Sequence, residues 1–85
     1  MLLNRERAVE LMERFSIDVL VAATRDNVIY TSDFAPWGQA VHKYFQRPCF
    51  TILPRRTDQA PTLLIYPGEA AYLAAQAPWI DEIRT

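Results

Sequence analysis

The spacing of apolar residues predicts a helix and then a strand at the start of the chain. Between residues 4 and 15, apolar side chains recur at positions i, i+3, i+4 and i+7: Ala8, Leu11, Met12 and Phe15. This spacing places them along one face of an α-helix. Asn4 is a candidate N-cap, and Glu6 follows in the first turn, where the helix dipole favours a negative charge. Residues 19–23 form an unbroken apolar run, which predicts a strand covered on both faces, as in a sheet flanked by helices.

The middle of the chain predicts a turn, an irregular region and a hairpin. Residues 24–27 are polar and predict a turn in which Asp26 or Asn27 caps a short helix. Residues 31–47 are the least regular part and are rich in aromatic rings. Residues 48–53 and 62–66 predict two strands, and the polar, proline-bounded link between them suits a hairpin.

The C-terminal part predicts a helix and a further strand. An alanine-rich segment from Gly68 to about residue 77 predicts a helix that stops at Pro78. Residues 80–85 predict a strand that has only begun, which we expect of a fragment. The predicted order of helix, strand, short helix, loop, hairpin, helix and strand is that of an α/β layer domain.

Composition limits the chain to one domain and narrows its chemistry. The 85 residues suffice for a single domain, residues 1–85. A hydrophobic content of 51% exceeds what disordered chains carry and suggests surface meant for a partner. The net charge of −1 does not favour nucleic acid or an anionic membrane. A single cysteine, Cys49, fits a reducing compartment, so we expect a cytoplasmic protein and a buried thiol.

The sequence does not contain a recognisable catalytic constellation. With one histidine and one cysteine, it offers no ligand pair at metal-binding spacing. Ser32, Asp33 and His42 are the residue types of a catalytic triad, but Asp33 is adjacent to Ser32 and nothing orients a base. An independent hydrolase that uses His42 stays open as an alternative, and it requires activity that His42→Ala abolishes.

Four segments resemble the N-terminal domain of the creatinase/prolidase/Xaa-Pro aminopeptidase family. SIDVLV (residues 16–21) and NVIYTSDF (27–34) resemble its opening strand and turn. PTLLI (61–65) and WIDEIRT (79–85) resemble its later strands. The resemblance runs the length of the chain and covers about two thirds of such a domain. It implies an α/β fold with a mixed sheet flanked by helices, a ribonuclease H-like motif, incomplete at the C-terminus.

The resemblance also implies a function. Such a domain is non-catalytic, forms a homodimer and walls the active site, while a C-terminal "pita-bread" domain performs the hydrolysis. This chain would then hold no cofactor. Its parent would use a divalent dimetal centre of Mn, Co or Zn if it is a peptidase, and no metal if it is creatinase-like. The parent's substrate stays open, and so does a stand-alone binding module that lacks the catalytic half.

The segment FQRP (residues 45–48) gives this resemblance its candidate site residues. In creatinase, Phe-x-Arg-Pro at this place supplies an aromatic ring and a guanidinium to the substrate site, which implies substrate contacts for Phe45 and Arg47. An arginine fork binds carboxylates bidentately. The aromatic and histidine side chains of the preceding region are candidates for an interface or a pocket loop: Phe34, Trp37, His42 and Tyr44.

Overall fold

The computed structural model describes residues 1–35, 49–76 and 78–85. In chain order their elements are α1 (Arg5–Arg14), β1 (Val19–Ala22), α2 (Arg25–Ser32), β2 (Phe50–Pro54), β3 (Thr62–Leu64), a 3₁₀ turn (Pro67–Glu69), α3 (Ala70–Gln76) and β4 (Glu82–Arg84). The predicted α/β class and the predicted order of helices and strands are confirmed. The predicted loop at residues 31–47 lies largely outside the described residues.

Both N-terminal helices begin at a side-chain cap, but only one of these caps was predicted. Asn4 Oδ1 accepts a hydrogen bond from the Arg7 amide at 3.1 Å, as the sequence indicates. The cap of α2 is Thr24, whose Oγ1 accepts from the Asn27 amide at 3.4 Å. The prediction of Asp26 or Asn27 was wrong because both lie inside the first turn, whereas the cap is the last extended residue.

The four strands form one mixed sheet in the order β1-β2-β3-β4. β1 pairs antiparallel with β2, with Leu20 opposite Leu53. β2 and β3 form the predicted antiparallel hairpin. β4 returns parallel to β3 after the crossover through α3, with Ile83 beside Leu63. Parallel neighbours need such a crossover because a tight turn can only reverse the chain.

One face of the sheet carries the core. Residues at paired positions point to the same face, so the row Ala22, Thr51, Leu63 and Ile83 faces one way. The buried cluster on this side joins the sheet to α2 and to the segments after α2 and α3: Ala22, Val28, Phe34, Cys49, Leu63, Ile65 and Ile80. Leu73 of α3 packs against the same cluster. This is the face on which α2 and α3 contact the core.

The other face of the sheet is apolar but incompletely covered. Side chains on it alternate with those of the core, and the apolar members are Val19, Val21, Phe50, Ile52 and Leu64. The last three are half-buried, while Val19 and Val21 are 49% and 56% exposed. The prediction that residues 19–23 are covered on both faces was therefore wrong for β1. This strand is a sheet edge, and an edge strand lacks one of the neighbours that shield a central strand.

Candidate interaction surface

The structure describes one of the six predicted site residues. Phe34 is fully buried in the core cluster, so its ring packs inside the domain. Trp37, His42, Tyr44, Phe45 and Arg47 lie outside the described residues. The roles predicted for those five stay predictions.

The residues that flank positions 36–48 are firmly held. The Ala35 amide donates to Gln76 Oε1 at 2.6 Å, and Gln76 Nε2 donates back to the Ala35 carbonyl at 3.0 Å. Trp79 Nε1 donates to the Thr31 carbonyl at 2.8 Å. Cys49, the residue that follows positions 36–48, is 1% exposed. These bonds tie the end of α2 to α3 and to the segment before β4.

Cys49 is placed as a core residue, as the sequence predicts. Burial raises the pKa of its thiol to about 12, and the nearby Glu69 carboxylate adds to the shift. The thiolate is the nucleophilic form of cysteine, and it is scarce at neutral pH when the pKa is this high. Cys49 is therefore unsuited to nucleophilic or metal-binding chemistry in the folded chain.

The basic pair at the hairpin tip is neutralised within the domain. Arg55 lies 3.0 Å from an Asp18 carboxylate oxygen, and Arg56 lies 2.6 Å from one of Asp58. The Arg55 amide also donates to the Asp18 carbonyl at 2.9 Å. Arg55 thus fastens the start of β1 to the hairpin, a structural role.

A group of exposed apolar side chains lies at β1 and the turn that leads into it. We define the β1 surface as Phe15, Ile17, Val19, Leu20 and Val21. All five side chains are exposed, from 37% for Leu20 to 64% for Phe15. Val19 and Val21 lie on the face of the sheet opposite the core, and Leu20 lies on the core face at the edge. Isolated exposed apolar residues are ordinary on soluble proteins, but a group of them along one segment is a candidate interaction site.

A groove of about 510 Å³ continues this surface between α1, β1 and α2. Its walls include Met12 and Leu11 of α1, Leu20 and Val21 of β1, and Tyr30 of α2. Tyr30 is half exposed at 50%. The groove and the β1 surface therefore form one continuous apolar region.

Among the described residues, none pairs with the outer edge of the β1 backbone. The bond from the Arg55 amide to the Asp18 carbonyl identifies Asp18 and Arg55 as a hydrogen-bonded antiparallel pair. Such pairs alternate with non-hydrogen-bonded ones, so Leu20 bonds to β2 while the amides and carbonyls of Val19 and Val21 point away from it. Pro54 fits this pattern, because it lies opposite Val19 at a position where β1 requires no N–H.

The opposite edge of the sheet is charged. β4 carries Glu82 and Arg84, whose side chains form an ion pair, and Asp81 precedes it. Charges on an edge strand oppose the addition of another strand. β1 has no charged residue, proline or glycine among its four residues. The sequence already shows this difference in charge between the two strands. The apolar run at residues 19–23, however, favoured a strand buried on both faces.

Comparison with known proteins gives no relative: no family model, curated protein or solved structure matches this chain. Among the described residues, no three or more histidine, cysteine, aspartate or glutamate side chains form a group that could hold a metal ion. Within the same ranges, no helix combines the length and apolar character needed to cross a membrane.

Proposed function

We propose that this chain is a non-catalytic association domain, similar to the N-terminal domain of a creatinase/Xaa-Pro peptidase-type metallohydrolase. Its role is to bind a second copy of itself and to form part of the wall of the parent enzyme's substrate pocket. The hydrolytic groups, and any Mn, Co or Zn dimetal centre, belong to a C-terminal catalytic domain. Phe45 and Arg47 are the residues proposed to contact substrate.

The observation that carries the association role is the exposed β1 surface. Five neighbouring apolar side chains in contact with water cost free energy, which a protein partner removes by covering them. The β4 edge and the hairpin tip are different, because both carry ion-paired charged side chains.

The resemblance in sequence supports the identity of the parent. SIDVLV contains most of β1, and NVIYTSDF begins inside α2 and ends two residues after it. PTLLI and WIDEIRT span β3 and β4, the parallel pair joined through α3. The strands at SIDVLV, PTLLI and WIDEIRT support this proposal, while NVIYTSDF, which the resemblance makes a turn, is largely helical here.

Light scattering on the 85-residue chain over a concentration series tests the association role. We expect a well-folded dimer whose population rises with concentration. Circular dichroism on the same samples verifies the fold. A folded chain that stays monomeric at the highest concentration contradicts self-association. The proposed association role is then wrong.

A further inference from the structure

The outer edge of β1 offers a backbone hydrogen-bonding pattern to a second strand. The amides and carbonyls of Val19 and Val21 point away from β2, and both side chains are exposed. We infer that β1 pairs antiparallel with β1 of a second copy, which joins the two four-stranded sheets into one. This inference rests on the proposed association role and specifies the contact that produces it.

β1 is complementary to itself in one register. A two-fold axis at Leu20 places Val19 opposite the partner's Val21 and Val21 opposite the partner's Val19. Each such pair exchanges two backbone hydrogen bonds, because both residues present their free groups outward. Leu20 then faces its own copy as a non-hydrogen-bonded pair. Asp18 lies opposite Ala22, so no like charges meet across the new ladder.

A second copy fits this edge better than a flexible peptide does. β1 is already extended and hydrogen-bonded to β2 in each copy, so pairing requires little ordering of backbone. A disordered segment loses conformational freedom when it becomes a strand.

In the 85-residue chain, the charged β4 strand is the other edge of the described sheet and disfavours the addition of further copies. With Glu82 and Arg84 on the outer strand of each sheet, further strand addition is opposed at both ends of the joined sheet. A symmetric contact that uses the same patch on both subunits closes at a dimer.

A cysteine at position 20 tests this register directly. In a non-hydrogen-bonded antiparallel pair the two Cα atoms lie about 4.5 Å apart, and a disulfide spans a Cα separation of roughly 4.4–6.8 Å. We expect Leu20→Cys to form an intermolecular disulfide under mild oxidation by oxidised glutathione. The native thiol does not compete, since Cys49 is buried and protonated.

Tyr30→Cys is the matched control. Tyr30 is 50% exposed and lines the groove, but it lies on α2 and is not part of the strand that pairs. Pairing should make the Leu20→Cys disulfide form roughly tenfold faster or more than the Tyr30→Cys one, because it holds the two thiols together before they react. Non-reducing electrophoresis over time measures both rates.

Hydrogen exchange on the unmodified chain provides a second measurement that does not depend on a variant's folding. Within the part of the chain that the structure describes, the Val19 and Val21 amides point away from β2 and meet no other strand. We therefore expect their exchange to slow as the protein concentration rises. The Leu20 amide, bonded to β2, should be protected at every concentration.

Three outcomes separate this inference from the proposed function. Dimers with fast Leu20→Cys coupling and concentration-dependent protection of Val19 and Val21 support both. Dimers in which Leu20→Cys couples no faster than Tyr30→Cys, and in which both amides exchange freely, overturn the strand pairing and leave the association role standing. A folded monomer without coupling overturns both.

Discussion

At the scale of single residues, the buried polar groups near the core differ in how they are satisfied. Ser32 Oγ donates to the Val28 carbonyl at 2.6 Å and accepts from the Phe34 amide at 3.0 Å. Thr51, also fully buried, has no hydrogen-bond partner for its hydroxyl within the described ranges. An unpaired hydroxyl in an apolar interior costs free energy that a paired one does not.

This contrast predicts opposite effects of two conservative substitutions. Thr51→Val keeps the shape and removes the unpaired hydroxyl, so we expect the free energy of unfolding to stay equal or to rise by about 1 kcal/mol. Ser32→Ala leaves the buried Phe34 amide without an acceptor, so it should lower the free energy of unfolding by about 1–3 kcal/mol. Urea denaturation of both variants measures the difference. A loss in Thr51→Val as large as that in Ser32→Ala would show that the hydroxyl is bonded.

Cys49 predicts a dependence of stability on alkaline pH. The unfolded chain loses the thiol proton near pH 9, whereas the folded chain keeps it until about pH 12. Between these values the unfolded state binds fewer protons, so the free energy of unfolding falls as the pH rises. The same fall should be smaller in Cys49→Ala, which lacks this group. Equal slopes of stability against pH in the two proteins, measured by urea denaturation from pH 8 to 11, would rule out the raised pKa.

At the scale of elements, the start of α2 depends on one side chain. Thr24 is extended, and its hydroxyl accepts from the Asn27 amide, which leaves Asn27 inside the helix. The helix ends at Asp33, which adopts a left-handed conformation with φ of 63°. α2 places Val28 in the core, so its start influences the packing of the sheet.

We therefore expect Thr24→Ala to lower the free energy of unfolding by about 1 kcal/mol, the usual cost of losing an N-cap. Asn27→Ala is the matched control, because it changes a neighbouring polar residue that contributes its amide, and alanine keeps that amide. Thermal or urea unfolding compares the two. A larger loss of stability in Asn27→Ala than in Thr24→Ala would assign the cap to the Asn27 side chain.

At the scale of the whole molecule, the sheet has two unlike faces and two unlike edges. One face is buried against Val28 of α2 and Leu73 of α3, while Val19 and Val21 leave the other exposed at β1. One edge carries charges, and the other carries none. Five of the exposed large apolar side chains lie on β1 or in the turn before it, which is the arrangement we expect of a domain that associates through this strand.

The elements with local causes were predictable from the sequence. α1 follows from an apolar repeat and from the short side chain of Asn4, both of which act within one turn. The hairpin of β2 and β3 follows from two apolar runs separated by a polar link. These signals need no knowledge of the rest of the chain, because the interacting groups are near neighbours.

Only the tertiary structure decided what each strand touches. The run at residues 19–23 determined that β1 is a strand, but its exposure depends on which strands lie beside it, and those come from distant parts of the chain. The same holds for Phe34, a candidate from sequence for an interface or a pocket loop, which the fold places in the core. Local chemistry sets backbone conformation over a few residues, whereas burial is a property of neighbours brought together by folding.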